Sequence, residues 1–266
     1  MVRNTRPSLT YRASSTNVII RSDFCFANVW NIQPIFPRLS LTPPTTPQTT
    51  YLSNSETLLR PSHLFGSASP IVPIITSLRT LSYDLSPERI TRTNRLAASN
   101  EIYNLEYDLL LLNKLQNTDP DPNRCIFAFE AVPLKMAAHI YLWLAIRELP
   151  PTSELLYRLL QRLYGSLEPI LPGWWNADRE RMEWLLWILF VGGVAADGRE
   201  ERAWFVSELG NMCMELDIWT LEGLKERLKR VVWQEAWCAD RCARLWDDLT
   251  LFEERDSQRS SLDLPR

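Results

Sequence analysis

Trp184-Leu-Leu-Trp-Ile-Leu-Phe-Val-Gly-Gly-Val-Ala-Ala196 carries no charged residue over thirteen positions. A helix needs about 20 apolar residues to cross a bilayer. The run is too short for that, and it reads instead as a helix that is apolar on every side and therefore belongs in the middle of a bundle. Asp178 is placed to cap its start. Gly192-Gly193 in a helix interior costs about 1 kcal/mol per residue relative to Ala. The expected offset is the close approach of a neighbouring helix.

Outward from that run, the spacing predicts more helices. Ser86-Pro87-Glu88 looks like an N-cap followed by Pro at the first helical position, opening a helix to about Gln116, with Leu105, Leu109 and Leu112 on one face. A second helix is expected from about Pro133 to Glu148, and a third from Thr152 or Ser153 to about Leu167. The uncharged run is the fourth, and a fifth covers about Glu200 to Leu216. In it, Phe205, Leu209, Met212 and Leu216 form a stripe, and Glu201, Glu208 and Glu215 recur on another face. A sixth, about Leu221 to Val232, turns Leu221, Leu224 and Leu228 inward and Lys225, Arg227, Lys229 and Arg230 outward, with Glu226 placed to pair with Arg230 at i+4. A seventh runs from about Gln234 to Leu249. No segment alternates with period two, so the expected fold is all-α: a single irregular multi-helix bundle spanning 84–252, with disordered tails at 1–83 and 253–266. A body of that size can bury roughly 70% of its unfolded surface.

Composition supports the division. The chain has 266 residues and a net charge of −3, but residues 1–83 hold seven Arg, no Lys and only Asp23 and Glu56 as acids, a balance of +5. The remainder is −8. A basic tail rich in Pro, Ser and Thr, with Leu41-Thr-Pro-Pro-Thr-Thr-Pro-Gln-Thr-Thr50 as its least structured stretch, precedes an acidic body. The short apolar patches Val18–Ile20 and Ile71–Ile75 could dock on that body. The Arg-bearing, acid-free start also has the composition of a mitochondrial presequence over residues 1–22, with a flexible basic tail as the favoured reading. Five widely spread cysteines without a secretory leader predict reduced thiols in an intracellular compartment.

The chemistry-bearing residues are few. Eight Gly, with no G-x-x-x-x-G-K and no G-x-G-x-x-G, exclude the common nucleotide loops. Cys238 and Cys242 share a helix face, but no His follows His139 to complete a zinc site. They read as small apolar core residues. His139, in Ala137-Ala-His-Ile-Tyr-Leu-Trp143, reads as a hydrogen-bonded core residue rather than a base. Asp247-Asp248 beside Glu253-Glu254 raises the alternative of an all-helical enzyme that binds magnesium and an isoprenoid or other lipid-like substrate; the alternative for these acids is a solvated helix end. Trp174-Trp175 is the aromatic pair expected at the surface. Catalytic residues, cofactors and bound metals are expected to be absent.

The uncharged run, then Arg202-Ala-Trp-Phe-Val206, then Leu224-Lys-Glu-Arg-Leu-Lys-Arg-Val-Val-Trp233, then Leu245-Trp-Asp-Asp-Leu249 resembles, in order and spacing, the fungal-specific transcription factor domain. Ala137 to Pro150 is similar to the same family. The motif residues that carry the resemblance are Trp184, Trp187, Gly192, Gly193, Trp204, Phe205, Trp233 and Trp246, all structural in kind. The resemblance implies a nuclear, non-enzymatic regulator that pairs with other regulators or with itself, or responds to a small-molecule effector, away from any membrane. The family's zinc cluster needs six Cys in two C-x2-C-x6-C groups, and none of that pattern occurs here. Direct DNA binding by this chain is therefore not expected.

Overall fold

The computed structural model describes residues 22–27, 32–38, 58–67, 69–86, 92–115, 122–174 and 178–262. Among these every regular element is a helix: α1 (22–27), α2 (Pro61–Phe65), α3 (Ile71–Asp84), α4 (Arg92–Leu115), α5 (Pro122–Tyr141), α6 (Glu154–Leu167), α7 (Leu171–Trp174), α8 (Arg179–Ala195), α9 (Arg202–Glu215), α10 (Leu221–Lys229) and α11 (Glu235–Leu262). A π-helical turn, Leu142–Ile146, continues α5.

The uncharged run becomes α8, and its position follows from its composition. Asp178 accepts a hydrogen bond from the Arg181 amide and starts the helix. From Glu183 to Ala195 every residue is buried. Each fully buried Leu, Ile, Val or Phe contributes about 1.5–3 kcal/mol, so α8 is stable only where it is covered all round. It packs against α5, α6, α7, α9, α10 and α11, and so forms the axis of the body.

The glycine pair lies where two helices press closest. A Cβ on Gly192 would sit 2.2 Å from Cε1 of Phe205 in α9, and one on Gly193 would sit 3.0 Å from Cδ2 of Leu245 in α11. The absence of side chains at these two positions lets α9 and α11 both rest on the C-terminal half of α8.

Several boundaries differ from the sequence expectation. Part of the stretch assigned to the basic tail belongs to the core: in α3, Ile71, Ile74, Ile75, Leu78 and Leu81 are buried on one stripe, and Leu59, Leu64 and Phe65 join them. The Leu59 amide donates to the Arg230 carbonyl, tying this segment to the end of α10. Tail-like composition hid a helical period that is present in the residues. Further upstream, α1 and residues 32–38 pack on α4: Phe24 lies 4.8 Å from the Tyr103 ring, and Tyr103 donates to the Pro37 carbonyl at 2.7 Å. The stretch 41–50, the patch Val18–Ile20 and all but the last residue of the candidate presequence at 1–22 lie outside the described residues, as do most of the expected cap at Ser86–Glu88 and Trp175. The second helix starts at Pro122 rather than Pro133, which sits inside it. Burial of Leu134, Ala137, Ala138 and Tyr141 outweighs the lost donor. The helix assigned to 234–249 continues to Leu262, beyond the expected boundary at 252.

Candidate interaction surface

The most exposed tryptophan that the structure describes is Trp219, at 68% exposure. It is held there by two helix ends. At the end of α9 the Ile218 amide bonds back to the Cys213 carbonyl at 2.8 Å and the Asp217 amide to the Met214 carbonyl at 3.2 Å, with Asp217 at φ 56°. This is a Schellman stop with Asp in the left-handed position, where Gly or Asn is usual. Ile218 then turns inward and is buried. One residue beyond Trp219, the Thr220 hydroxyl accepts from the Gly223 amide at 3.1 Å and starts α10. Trp219 therefore projects from a short loop fixed on both sides.

Two concavities meet at Ile218 and Trp219. One, of about 200 Å³, is a notch between α9 and α11 lined by mostly apolar residues, Gly210, Cys213, Met214, Trp246 and Leu249, with Thr250 at its edge. The other, of about 520 Å³, is an open polar groove along α10 lined by Asp217, Thr220, Gly223, Glu226, Arg227 and Arg230. Met214, at the notch, is half exposed.

The floor of the groove is fixed from inside the core. Glu183 on α8 is buried, and both Arg227 and Arg230 reach it, at 2.7 and 2.5 Å. The i+4 spacing offers Glu226 as the partner of Arg230; the structure gives it Glu183, 47 residues away. A carboxylate inside an apolar helix gains far more from two guanidinium partners than an exposed one does. Behind it, Arg79 donates to the carbonyls of Val231 and Leu59 at 2.6 and 2.7 Å and lies over the Trp184 ring; burial draws its pKa down to about 10. Trp187 donates to the Val232 carbonyl at 2.8 Å. These contacts fasten the end of α10 to the axis helix.

The family-motif residues divide between core and rim. Trp184, Trp187 and Phe205 are fully buried. Trp204 packs edge-on to Tyr164 at 4.8 Å, and Trp233 stacks near Phe190 at 6.2 Å. Trp246 alone of the set lines the notch. Sequence reasoning placed the tryptophans mostly in the core and did not single out Trp219. The usable signal was its position between a helix stop and a Thr cap.

The groups weighed for chemistry are engaged elsewhere. Asp248 is gripped by Arg202 through Nε at 3.0 Å and Nη2 at 2.5 Å, and Arg202 Nη1 also donates to the Gly193 carbonyl, closing the end of α8. Asp248 is thus a part-exposed clamp inside α11 and not at a helix end. Among the described residues no three His, Cys, Asp or Glu side chains come together as metal ligands would. Substituting Asp248→Asn should lower Tm by a few degrees, because the pair is part-exposed and contributes about 1 kcal/mol. Adding magnesium should not alter that shift. A thermal melt of both proteins with and without magnesium checks this. Cys238 and Cys242 are buried, and desolvation raises both thiols to about 12, so they stay protonated.

His139 is buried as expected, but its Nε2 has no hydrogen-bond partner among the described residues. Burial, then the charges of Lys135 and Arg162, push it down to about 3. An unfolded His titrates near 6.5. Between those values the unfolded chain takes up a proton that the folded chain refuses, so stability is full above about pH 6.5 and falls as pH drops through the window. At pH 4.5 the loss should be about 2–3 kcal/mol. Lys135, drawn down to about 8 mainly by burial, is charged in both states there and adds nothing. Urea midpoints at pH 7 and 4.5 should separate in the native sequence and separate less in His139→Gln.

Comparison with known proteins gives one family. A family model described as the fungal specific transcription factor domain matches residues 20–256. No zinc cluster domain is found. No curated protein and no solved structure matches the chain.

Proposed function

The chain belongs to the fungal specific transcription factor domain family, and we infer from that premise that it is a non-enzymatic nuclear regulator of transcription that works through contacts with other proteins. The observation that carries this reading is the extent of the match. It covers the segment packed on α4, the axis helix and the parts of α9, α10 and α11 that form the Trp219 surface. A family relationship of that breadth transfers a whole body rather than a local motif. Two features of the molecule support a binding role over a chemical one. The candidate acid Asp248 is tied down by Arg202, and the most exposed tryptophan sits on a rigid turn beside a notch of about 200 Å³.

The chain carries no pair of C-x2-C-x6-C groups, so sequence-selective DNA contact falls to another protein or another module. The test has two arms. The full chain, fused to an unrelated DNA-binding domain in a fungal host, should change output from a matching reporter promoter. The unfused purified chain, titrated against a random DNA pool across a salt series, should show only weak retention that salt abolishes. Selective retention that survives high salt, or a fusion that leaves the reporter unchanged, would contradict the reading.

A further inference from the structure

We propose that the Trp219 surface is a docking site for a basic amphipathic segment of a partner protein, with an apolar anchor seated in the notch and Lys or Arg side chains on its rim. The proposal rests on the regulatory reading above and names the chemistry of the partner.

Three observations carry it. The first is shape: the notch of about 200 Å³ is walled by Trp219, Met214, Trp246 and Leu249, which suits one branched or aromatic side chain. The second is rigidity. Because the Asp217 stop and the Thr220 cap fix the loop, binding would order little that is not already ordered, and preorganised aromatics are the usual binding hot spots. The third is charge. Asp217 and Glu226 line the adjoining groove, and Glu215 and Asp247 neighbour Met214 and Trp246 along their helices. The two arginines in the groove share one carboxylate, Glu183, and Arg179 donates to the Leu216 carbonyl and keeps its charge. Counted together, the five acids Asp217, Glu226, Glu215, Asp247 and Glu183 exceed the three arginines by two, so the surface is net negative. A partner cation placed over the Trp219 ring would add a cation–π contact. An acidic segment would meet repulsion on the same rim.

The probe is a synthetic helical peptide with Leu at i, i+3, i+4 and i+7 and Lys elsewhere, titrated against the purified full chain by calorimetry. A matched peptide with Glu in place of Lys serves as control. The Lys peptide should bind and the Glu peptide should not. Trp219→Ala should weaken binding at least tenfold, and the fold should hold because the side chain is exposed. The double variant Glu215→Lys with Glu226→Lys, which touches only exposed positions, should weaken it by a similar factor and flatten its salt dependence. Equal binding by the native chain and Trp219→Ala, or tighter binding of the Glu peptide, would overturn the proposal. So would sedimentation showing a dimer of the chain alone that Trp219→Ala abolishes, which would make a second copy the occupant. The readout is a binding constant on purified protein, so it stands or falls apart from the reporter assay.

Discussion

Replacing Gly192 by Ala should destabilise the protein by about 3 kcal/mol or more, although Ala is the better helix former by about 1 kcal/mol. The added methyl would lie 2.2 Å from Cε1 and 2.7 Å from Cδ1 and Cζ of Phe205. The ring has nowhere to go. Phe205 is fully buried, with Trp204 at 4.9 Å and Tyr164 at 6.5 Å between ring centres. Either α9 lifts off the axis or the ring leaves its rotamer, and both outcomes lose packing along the whole contact. Gly193 supplies the internal control. Its added methyl would meet Cδ2 of Leu245 at 3.0 Å, a much smaller overlap than the one at Phe205. Gly193→Ala should therefore cost well under half as much. Phe205→Leu should rescue part of the Gly192→Ala loss, a coupling that chemical denaturation of the two single variants and the double variant would measure.

The second large effect is expected at Glu183. The double variant Arg227→Met with Arg230→Met strands a carboxylate that is 1% exposed. Leaving such a group without partners costs about 3–5 kcal/mol. Glu183→Ala alone should cost less, because the two arginines are about a third exposed and can turn to water. Adding Glu183→Met to the arginine pair should recover most of the loss, since an apolar side chain suits the interior of α8. Denaturation midpoints of the four proteins would show the cycle. Failure of the triple variant to recover would mean that the charges are needed to position α10 and not only to neutralise one another.

These two sites also show how far the chain could be read before its structure. The axis helix was legible because thirteen consecutive uncharged residues admit few other placements, and the glycine pair was legible because its cost demands a close neighbour. The helix at Ile71–Asp84 was less so. Its apolar period was on the page, but Pro-rich composition on its N-terminal side drew it into the tail. Glu183 with Arg227 and Arg230 was not legible at all, because the partners lie 44 and 47 residues apart, and local spacing offered Glu226 instead. The Trp219 surface was hidden for a related reason. Its exposure depends on a left-handed Asp217, a residue type that only occasionally takes that conformation. The family resemblance came from the same buried Trp, Gly and Leu positions that build the core, which is why it reached the fold well before it could reach a binding surface.

The central claim is that α8 is the axis on which the body is built. Native-state hydrogen exchange of the full chain tests it most directly. The amides of Trp184 to Val191 should exchange last, at the rate set by global unfolding. Exchange there as fast as in the exposed turns around Gly198 would place the helix at the periphery and contradict the account.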